Sequence, residues 1–233
     1  MAQRLEKNTE LIEWAYNNLE GIPKGSDDYE RLISGMSYNC WAPELNVARL
    51  TRHERARRYG DLSIEGKSEA EFMKERYEYI KSVFGKVGAN VYLEPPFNVD
   101  YGFNISVGDN FYANFNLTIL DCSVVKIGNN CMTGPNVTIT CATHPVDPYE
   151  RNVKNVEWAR EIIIGDNVWI TTGVVICQGT VIGNGVTLGA NCVIPPGKTV
   201  PDNCVVAGNP ARIIKKLKGY VEPEPKEGVD YIK

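Results

Sequence analysis

The sequence predicts a mainly β fold: a parallel β-helix of hexapeptide repeats preceded by an α-helical segment. Three observations predict it. An aliphatic residue recurs at every sixth position in the second half, turn-forming Gly, Asn and Asp residues follow these positions, and the first 85 residues lack the repeat. A period of six fits neither an α-helix nor plain strand alternation. Short strands joined by turns, three to a coil of about 18 residues, account for it and stack their aliphatic residues inside.

The N-terminal part, residues 1–85, contains four segments that predict α-helices. In the first, LEKNTELIEWAYNNLEGI, the apolar residues share one face and Gly-Ile-Pro ends the helix. DDYERLISGM predicts the second helix, and PELNVARLTRHERARRYGD predicts the third, with Pro43 at its start. The fourth is predicted from Ser68 to Gly85, because Ser68 and Glu71 have the spacing of a capping box.

The third helix carries a basic run, RLTRHERARR at residues 49–58, which predicts a solvated helix face. The whole chain has a formal net charge of −4, with 43% hydrophobic and 23% charged residues. Because nucleic-acid-binding proteins usually show a basic excess, we expect no nucleic-acid partner.

The repeat defines the second half of the chain. Its register is unbroken over eight aliphatic residues: Ile164, Ile170, Ile176, Ile182, Leu188, Ile194, Val200 and Val206. Earlier fragments share it, but the phase slips by two residues between Ile119 and Ile127, which predicts a bulge or turn near residues 121–125. A gap of 25 residues between Ile139 and Ile164 predicts an inserted loop. The predicted domains are a helical segment (1–85), a β-helix (86–214) with the loop at 140–160, and a tail (215–233) that forms an extended surface strap.

Composition at the start of the chain and cysteine usage predict a cytoplasmic protein. The opening residues lack the apolar core of a signal peptide, and no stretch approaches the roughly 18 apolar residues of a membrane span. The seven cysteines form no CxxC pair and mostly lie in apolar runs. They therefore predict buried free thiols, with neither disulfides nor a metal site.

Several segments carry a resemblance to a known family. They are YERLISGMSYN, EPPFNVDYGFNISVGDNFYANFNLTILD (94–121), THP (143–145), IIIGDNVWI (162–170) and VVAGNPARII (205–214). Together they resemble the hexapeptide-repeat acyltransferases, and within them the galactoside, maltose and related sugar O-acetyltransferases, over roughly residues 29–216. The resemblance implies a left-handed β-helix, acetyl-CoA as cosubstrate with no metal, a sugar or other hydroxyl-bearing acceptor, and a homotrimer with sites between subunits.

His144 is the predicted catalytic residue. It is one of two histidines, and it opens the inserted loop within the THP segment, where the family has its catalytic histidine. An alcohol attacks an acetyl thioester only when a base removes its proton, and imidazole is the usual base near neutral pH. On sequence alone, His144 also fits an ordinary loop histidine. The resemblance implies that His144 is a general base for direct attack of the acceptor hydroxyl, without an acyl-enzyme.

The resemblance also implies acceptor-binding residues. Asn114 and Asp100 match polar positions of the family, although Asn114 equally fits an asparagine ladder inside the solenoid. Asp121, close to the phase slip, is either a sugar contact or a structural turn residue. Glu157 is either a partner that orients His144 or binds the acceptor, or a surface residue. Relatives often have acids where Cys40 and Cys122 stand, so the acceptor itself stays open.

For coenzyme A, the resemblance implies a second set of residues. These are Trp169, Thr172, Ala190, Lys198, Arg212 and Lys215. A pantetheine arm needs a groove of backbone amides between stacked coils, and the 3′-phosphate region needs cations. Arg212 and Lys215 equally fit solvated charges after the last coil.

Two other functions remain open at this point. A xenobiotic acetyltransferase on the same scaffold shares the loop histidine and differs in its N-terminal helices. A β-helix that serves only as a binding scaffold needs neither His144 nor the cationic coenzyme A end. A zinc-dependent carbonic anhydrase on this scaffold is excluded, since it needs three histidines and the chain has two.

Overall fold

The computed structural model describes residues 2–233 and begins with four helices. They are α1 (Thr9–Asn18), α2 (Asp27–Ser34), α3 (Pro43–Tyr59) and α4 (Glu69–Ile80). Side chains of Asn8, Ser26 and Ser68 accept hydrogen bonds from the first turns of α1, α2 and α4, and Ser68 forms the predicted capping box with Glu71. Residues 2–233 contain no helix with both the length and the apolar character needed to cross a bilayer.

Two helix predictions need correction. The fourth helix ends at Ile80 rather than Gly85, because the chain turns there and the N–H of Gly85 bonds to the carbonyl of Ile105 in the solenoid. The basic run of α3 is not wholly solvated. Arg52 is buried and donates to the carbonyl oxygens of Ser82 and Val83, so it fixes α3 to the turn after α4.

The solenoid consists of three sheets, which the chain visits in the order A, B, C; their strands are parallel, except that the last strand of sheet B runs antiparallel. Sheet A contains β1 (Lys86–Val87), β4 (Ile105–Val107), β7 (Val125–Ile127), β12 (Ile162–Ile164), β15 (Val181–Ile182), β18 (Lys198–Val200) and β21 (Asp230–Tyr231). Sheet B contains β2 (Tyr92–Leu93), β5 (Tyr112–Ala113), β8 (Met132–Thr133), β13 (Trp169–Ile170), β16 (Thr187–Leu188), β19 (Cys204–Ala207) and β20 (Arg212–Lys216). Sheet C contains β3 (Phe97–Val99), β6 (Leu117–Leu120), β9 (Thr138–Thr140), β14 (Val175–Ile176) and β17 (Val193–Ile194).

Strand register explains the repeat and its slip. All eight aliphatic residues of the unbroken register are buried, and Ile164 pairs with Ile182 eighteen residues later, which is one coil. Val107 pairs with Ile127, so the early coils take twenty residues. The two extra residues lie in the turn between β6 and β7, as the phase slip predicted. The mainly β parallel solenoid is therefore confirmed.

The inserted loop and the tail depart from the coils. The loop carries β10 (Ala142–Thr143), α5 (Pro148–Asn152) and β11 (Trp158–Ala159), with β10 and β11 paired antiparallel. It leaves after sheet C and returns to sheet A. In the tail, β20 pairs antiparallel with β19, and β21 then pairs parallel with β18, where a further coil would lie. Ile232 is buried there, so the tail closes the open end of the solenoid.

Candidate active site

His144 lies immediately after β10 and has two polar neighbours. Its Nδ1 is 3.4 Å from the carbonyl oxygen of Val156, and its Nε2 is 3.9 Å from Oε2 of Glu157. A neutral imidazole with its proton on Nδ1 donates toward this carbonyl and leaves a lone pair on Nε2. The side chain is 49% exposed, so a ligand can reach Nε2.

Glu157 comes from the far end of the same loop, just before β11. Its side chain is only 20% exposed, and its Oε1 has no hydrogen-bond partner among residues 2–233. A buried carboxylate oxygen without a donor is costly. The arrangement therefore suits a carboxylate that receives a donor during the reaction, either the imidazolium of His144 or a hydroxyl of a ligand.

A cleft joins the His144 loop to the segment between α2 and α3. Its volume is about 330 Å³, at the lower end of the range for small-molecule sites. It is lined by Tyr38, Asn39, Cys40, Trp41, His144, Arg151, Asn155 and Glu157. The structure thus brings His144 and Glu157 together with residues that are more than one hundred positions away in sequence.

Two thiols beside this cleft stay protonated at neutral pH. Burial, together with the nearby Glu157 carboxylate, raises the pKa of Cys40 to about 11. Complete burial raises the pKa of Cys122 well above its usual value, and the Asp100 carboxylate adds to the shift. The thiolate is the nucleophilic form of cysteine, so neither residue is set up for a covalent acyl-enzyme.

Asp100 lies on the α3 side of this region. Its Oδ2 accepts a hydrogen bond from Sγ of Cys122 at 3.1 Å, and its Oδ1 is 4.0 Å from Nε2 of His53. The side chain is partly exposed. Asp100 is therefore a polar group that a ligand can contact, although it does not line the cleft around His144.

Asp121 is a structural residue, which corrects the predicted acceptor contact. Its side chain is fully buried, and its two carboxylate oxygens accept hydrogen bonds from the backbone N–H groups of Asp100, Tyr101 and Asn104. Burial raises the pKa of Asp121 to about 7. The residue holds the turn that precedes β4, and it presents no surface to a ligand.

Asn114 lies on a different edge of the solenoid from His144. It follows β5, at the corner between sheets B and C, whereas the His144 loop leaves at the corner between sheets C and A. Its Oδ1 accepts the N–H of Phe115 at 2.7 Å. The asparagine ladder at this corner runs instead through Asn116 and Asn136, whose side chains bond at 3.0 Å. The structure of the single chain does not place Asn114 in the His144 cleft.

The B–C corner also carries three of the residues expected at coenzyme A. Trp169 lies on β13 with half of its side chain exposed, on the outer face of sheet B. Thr172 and Ala190 follow β13 and β16 in consecutive coils, and Oγ1 of Thr172 donates to the carbonyl of Pro135. Thr172 and Ala190 therefore lie one coil apart at the same corner, and Trp169 lies on the strand that leads into it.

The cations expected at coenzyme A are divided between two positions. Lys198 and Arg212 line a cavity of about 550 Å³ at the closed end of the solenoid, together with tail residues that include Asp230. Nζ of Lys198 forms an ion pair with Oδ2 of Asp230 at 2.5 Å. Lys215 lies on β20, paired with Val205, and is exposed outside this cavity.

Comparison with known proteins identifies the family. The maltose acetyltransferase hexapeptide capping motif matches residues 31–88, and the bacterial transferase hexapeptide family (six repeats) matches residues 161–196. A putative acetyltransferase of Dictyostelium discoideum is 43% identical over 188 residues, which cover 81% of this chain and 93% of that protein. The galactoside O-acetyltransferase of Escherichia coli is 43% identical over 145 residues, or 62% of this chain and 70% of that enzyme.

This chain belongs to the sugar O-acetyltransferases of the hexapeptide-repeat superfamily. A sophorolipid acetyltransferase of Starmerella bombicola is 38% identical over 174 residues, which are 73% of this chain and 66% of that protein. Among solved structures, a maltose O-acetyltransferase from Clostridium difficile has a TM-score of 0.76 at 37% identity, covering 83% of this chain and 98% of the other. A galactoside acetyltransferase in complex with coenzyme A has a TM-score of 0.73 at 37% identity, covering 86% and 98%. The predicted enzyme class, an acetyl-CoA-dependent acetyltransferase, is confirmed.

Several cleft residues of this sugar O-acetyltransferase were missed from the sequence. Trp41, Arg151 and Asn155 line the cleft, yet they lie in segments without periodicity, where sequence spacing gives no indication of which side chains converge. One signal was available. Cys40, which lines the cleft, stands at a position where the family resemblance implies an acid.

Proposed function

We propose that this enzyme moves the acetyl group of acetyl-CoA to a hydroxyl of a sugar or sugar-like acceptor, with His144 as general base. The observation that carries the proposal is the surroundings of His144. Its Nδ1 faces a backbone carbonyl, and its Nε2 lies in a cleft beside the carboxylate of Glu157. An imidazole with one nitrogen held and the other accessible is suited to take a proton from an alcohol.

The reaction proceeds in one direct transfer. Nε2 of His144 takes the proton of the acceptor hydroxyl while its oxygen attacks the thioester carbonyl. The tetrahedral intermediate collapses, the C–S bond breaks, and the leaving thiolate takes the proton from the imidazolium to give free coenzyme A. The raised pKa values of Cys40 and Cys122 support direct transfer, because neither thiol supplies a competing nucleophile.

Glu157 supports the base, and polar groups hold the acceptor. A carboxylate 3.9 Å from Nε2 favours the imidazolium that forms during attack. We assign acceptor contacts to Glu157, Asp100 and Asn114. Asp100 is partly exposed beside the cleft, and Asn114 comes from another edge of the solenoid.

The coenzyme A site is proposed along the B–C corner. The coenzyme A in the complex of the related galactoside acetyltransferase supports such a site in the family. Trp169, Thr172 and Ala190 line this edge, where the pantetheine arm would run. Lys198, Arg212 and Lys215 supply positive charge for its phosphates. The proposal involves no metal.

A homotrimer with sites between subunits explains why the His144 cleft and the coenzyme A residues lie on different edges of one chain. The outer face of sheet B exposes a row of apolar side chains, Tyr112, Met132 and Trp169, which occupy aligned positions on neighbouring strands. An exposed apolar row of this kind favours association. In a closed ring, the C–A corner of one chain faces the B–C corner of the next, so His144 meets the neighbour's coenzyme A edge.

We further propose that the enzyme works in the cytoplasm, without a nucleic-acid or membrane partner. All seven cysteines are free, which suits a reducing compartment. The net charge of −4 does not favour a polyanion.

Release of free coenzyme A from acetyl-CoA, followed with a thiol-trapping dye, tests the catalytic role. The acceptor panel contains galactosides, glucosides, maltose and drug-like alcohols. We expect acceptor-dependent release that falls by about 10²- to 10⁴-fold in His144→Ala, the range for loss of a general base. Val146→Ala removes a fully exposed side chain two residues away in the same loop and serves as the matched control.

Each other outcome contradicts a defined part of the proposal. Release that His144→Ala leaves unchanged excludes His144 as base. Turnover with the drug-like alcohols alone indicates a xenobiotic acetyltransferase. Absence of acetyl-CoA binding in wild type indicates a scaffold protein.

A further inference from the structure

The return end of the His144 loop contains a concentration of unpaired polar atoms. Among residues 2–233, eight buried side-chain nitrogen and oxygen atoms lack a hydrogen-bond partner, and five of them belong to residues 157–161. They are Oε1 of Glu157, Nε1 of Trp158, Nε and Nη1 of Arg160, and Oε2 of Glu161. Each such atom lowers stability, since burial removes the water that would bond to it. Local rules of this kind are broken mainly where function requires it, and this segment begins at the proposed support of His144.

Burial does not fix the middle of the loop. No residue from 142 to 158 is buried, whereas Cys141 at one end and Ala159 and Arg160 at the other are. A segment with few buried contacts opens easily, so its position depends on the contacts at its ends. The placement of Glu157 therefore depends on what holds the residues that follow it, 159–161.

An N-terminal arm, residues 2–8, holds this end of the loop. Nη2 of Arg160 donates to the carbonyl oxygen of Ala2 at 2.6 Å. Nη2 of Arg4 lies 3.2 Å from Oε1 of Glu161, and both side chains of this ion pair are partly shielded from solvent. The arm thus bonds to both residues that follow β11.

The same arm is bonded to the end of α2, which leads into the opposite wall of the cleft. The N–H of Arg4 donates to the carbonyl oxygen of Gly35 at 2.8 Å, and its Nη1 donates to that of Ser34 at 3.4 Å. A Cβ at Gly35 would lie 2.4 Å from Nη1 of Arg160, so the ends of α2 and β11 are in close contact. Three residues after Gly35 the chain reaches Tyr38 in the cleft lining. The arm and Arg160 therefore connect the two walls of the cleft.

Arg160 is an energetically unfavourable way to make this connection. Its side chain is 7% exposed, and two of its three guanidinium nitrogens lack partners among residues 2–233. Burial lowers the pKa of Arg160, and the nearby positive charge of Arg4 acts in the same direction. An apolar side chain of similar size is often as favourable as a buried charge, or more so. The geometry that Arg160 imposes, rather than a gain in stability, therefore accounts for an arginine here.

We propose that Arg160 is a positioning residue for acetyl transfer, which together with the N-terminal arm holds Glu157 beside His144. This inference rests on the proposed function, because it assumes that Glu157 supports the base. Arg160 is buried and does not line the cleft, so it acts through Glu157, three residues earlier in the chain.

Kinetics of Arg160→Met, which removes the guanidinium and keeps the length of the side chain, test the positioning role. We expect kcat to fall by about 10- to 100-fold, the scale on which a small displacement of a catalytic group acts. The KM for acetyl-CoA should not change, since the proposed coenzyme A residues lie elsewhere. In a Glu157→Ala background the same substitution should cause no further loss, because no carboxylate is left to position. Arg160→Lys retains a donor for the carbonyl of Ala2 and should restore part of kcat.

Hydrogen exchange of the loop amides, followed by mass spectrometry, tests the arm without turnover. Residues 142–158 should exchange faster in Arg160→Met by about ten-fold or more, the effect of losing a hydrogen bond to a charged group. Arg4→Met removes only the contacts of one arm side chain and should have a smaller effect in the same direction. Arg76→Met is the matched control and should leave this exchange unchanged. Arg76 is also 7% exposed with an unpartnered Nε, but it lies on α4 and donates to Tyr92.

The remaining outcomes overturn defined parts of the inference. Loop exchange that Arg160→Met leaves unchanged excludes the arm as the support of the loop. Equal losses of kcat with and without the Glu157 side chain exclude positioning through Glu157, and so does a raised KM for acetyl-CoA at unchanged kcat. If wild type acetylates no sugar, the proposed function fails, and loop exchange still decides whether Arg160 and the arm hold the loop.

Discussion

Asp121 shows how surroundings decide what a carboxylate does. Three backbone N–H groups point at its oxygens, which favours the charged form, yet complete burial opposes charge more strongly and raises its pKa to about 7. The nearby carboxylate of Asp100 acts in the same direction as burial. The residue holds its turn in either protonation state, but the folded chain favours the proton.

This raised pKa predicts that stability falls as pH rises from about 4 to about 7. In that window an unfolded Asp has lost its proton while the folded Asp121 retains it, so the unfolded state binds fewer protons and deprotonation favours unfolding. The contribution of Asp121 to the free energy of unfolding is fully present below its pKa in the unfolded chain and is lost as pH rises through its pKa in the folded chain. The slope is at most about 1.4 kcal/mol per pH unit, the one-proton limit. The free energy of unfolding of wild type and of Asp121→Asn, measured by denaturant unfolding at several pH values, isolates this contribution. Parallel pH profiles of the two proteins would contradict the prediction.

Single residues differ in how far the sequence alone defines them. His144 could be singled out because the chain has two histidines and one opens the loop inside a family motif. Asp121 could not be resolved, because a carboxylate near a phase slip looks the same whether it bonds to the backbone or to a ligand. Trp41 gave no signal, since its exposure depends on where α2 and α3 meet the His144 loop.

At the scale of elements, the tail strand β21 brings a carboxylate to the end of the solenoid. Asp230 on β21 pairs with Lys198 on β18, and the same cavity contains Arg212. Lys198 is mostly buried, whereas Asp230 is largely exposed. If Lys198 binds the 3′-phosphate of coenzyme A, then Asp230 competes with this phosphate for the same ammonium group.

Asp230→Asn should therefore lower the KM for acetyl-CoA. The gain is about two- to five-fold, because the exposed carboxylate has a screened ion pair worth less than about 1 kcal/mol. Acetyl-dephospho-CoA lacks the 3′-phosphate, so its KM should not change. Glu222→Gln removes another tail carboxylate that pairs with a lysine, Lys216, outside the cavity, and provides the matched control. Equal effects on both thioesters would show that Asp230 does not act through the 3′-phosphate.

Elements with strong local signals were predicted well, and short ones were not. Helix starts followed from caps such as Ser68 with Glu71, and the slip of two residues after Ile119 followed from the broken register. The tail was expected to be a surface strap. Its strand β21 has only two residues and no periodicity of its own, so only the exposed edge of β18 determines where it pairs.

For the whole molecule, the three-sided solenoid separates the parts of the proposed site. His144 emerges at the C–A corner, while Asn114 and Thr172 lie at the B–C corner, so sheet C lies between them. The six-residue period predicts the prism and its core, because each coil buries its own aliphatic residues. It cannot predict how the solenoids of different chains associate, because the outward-facing residues of each strand do not follow the six-residue repeat.

Subunit mixing tests whether the site is shared between chains. His144→Ala and Asn114→Ala should each be nearly inactive alone, and each should still form trimers by light scattering. In a random mixture, a site works when its histidine comes from an Asn114→Ala chain and its asparagine from a neighbouring His144→Ala chain. This condition holds for about a quarter of the sites in a closed ring, so about a quarter of wild-type activity should return on co-refolding. Sites confined to one chain would give no recovery at any mixing ratio, because every chain lacks one of the two residues. Recovery would therefore support the proposed trimer, in which His144 of one chain works with Asn114 of the next.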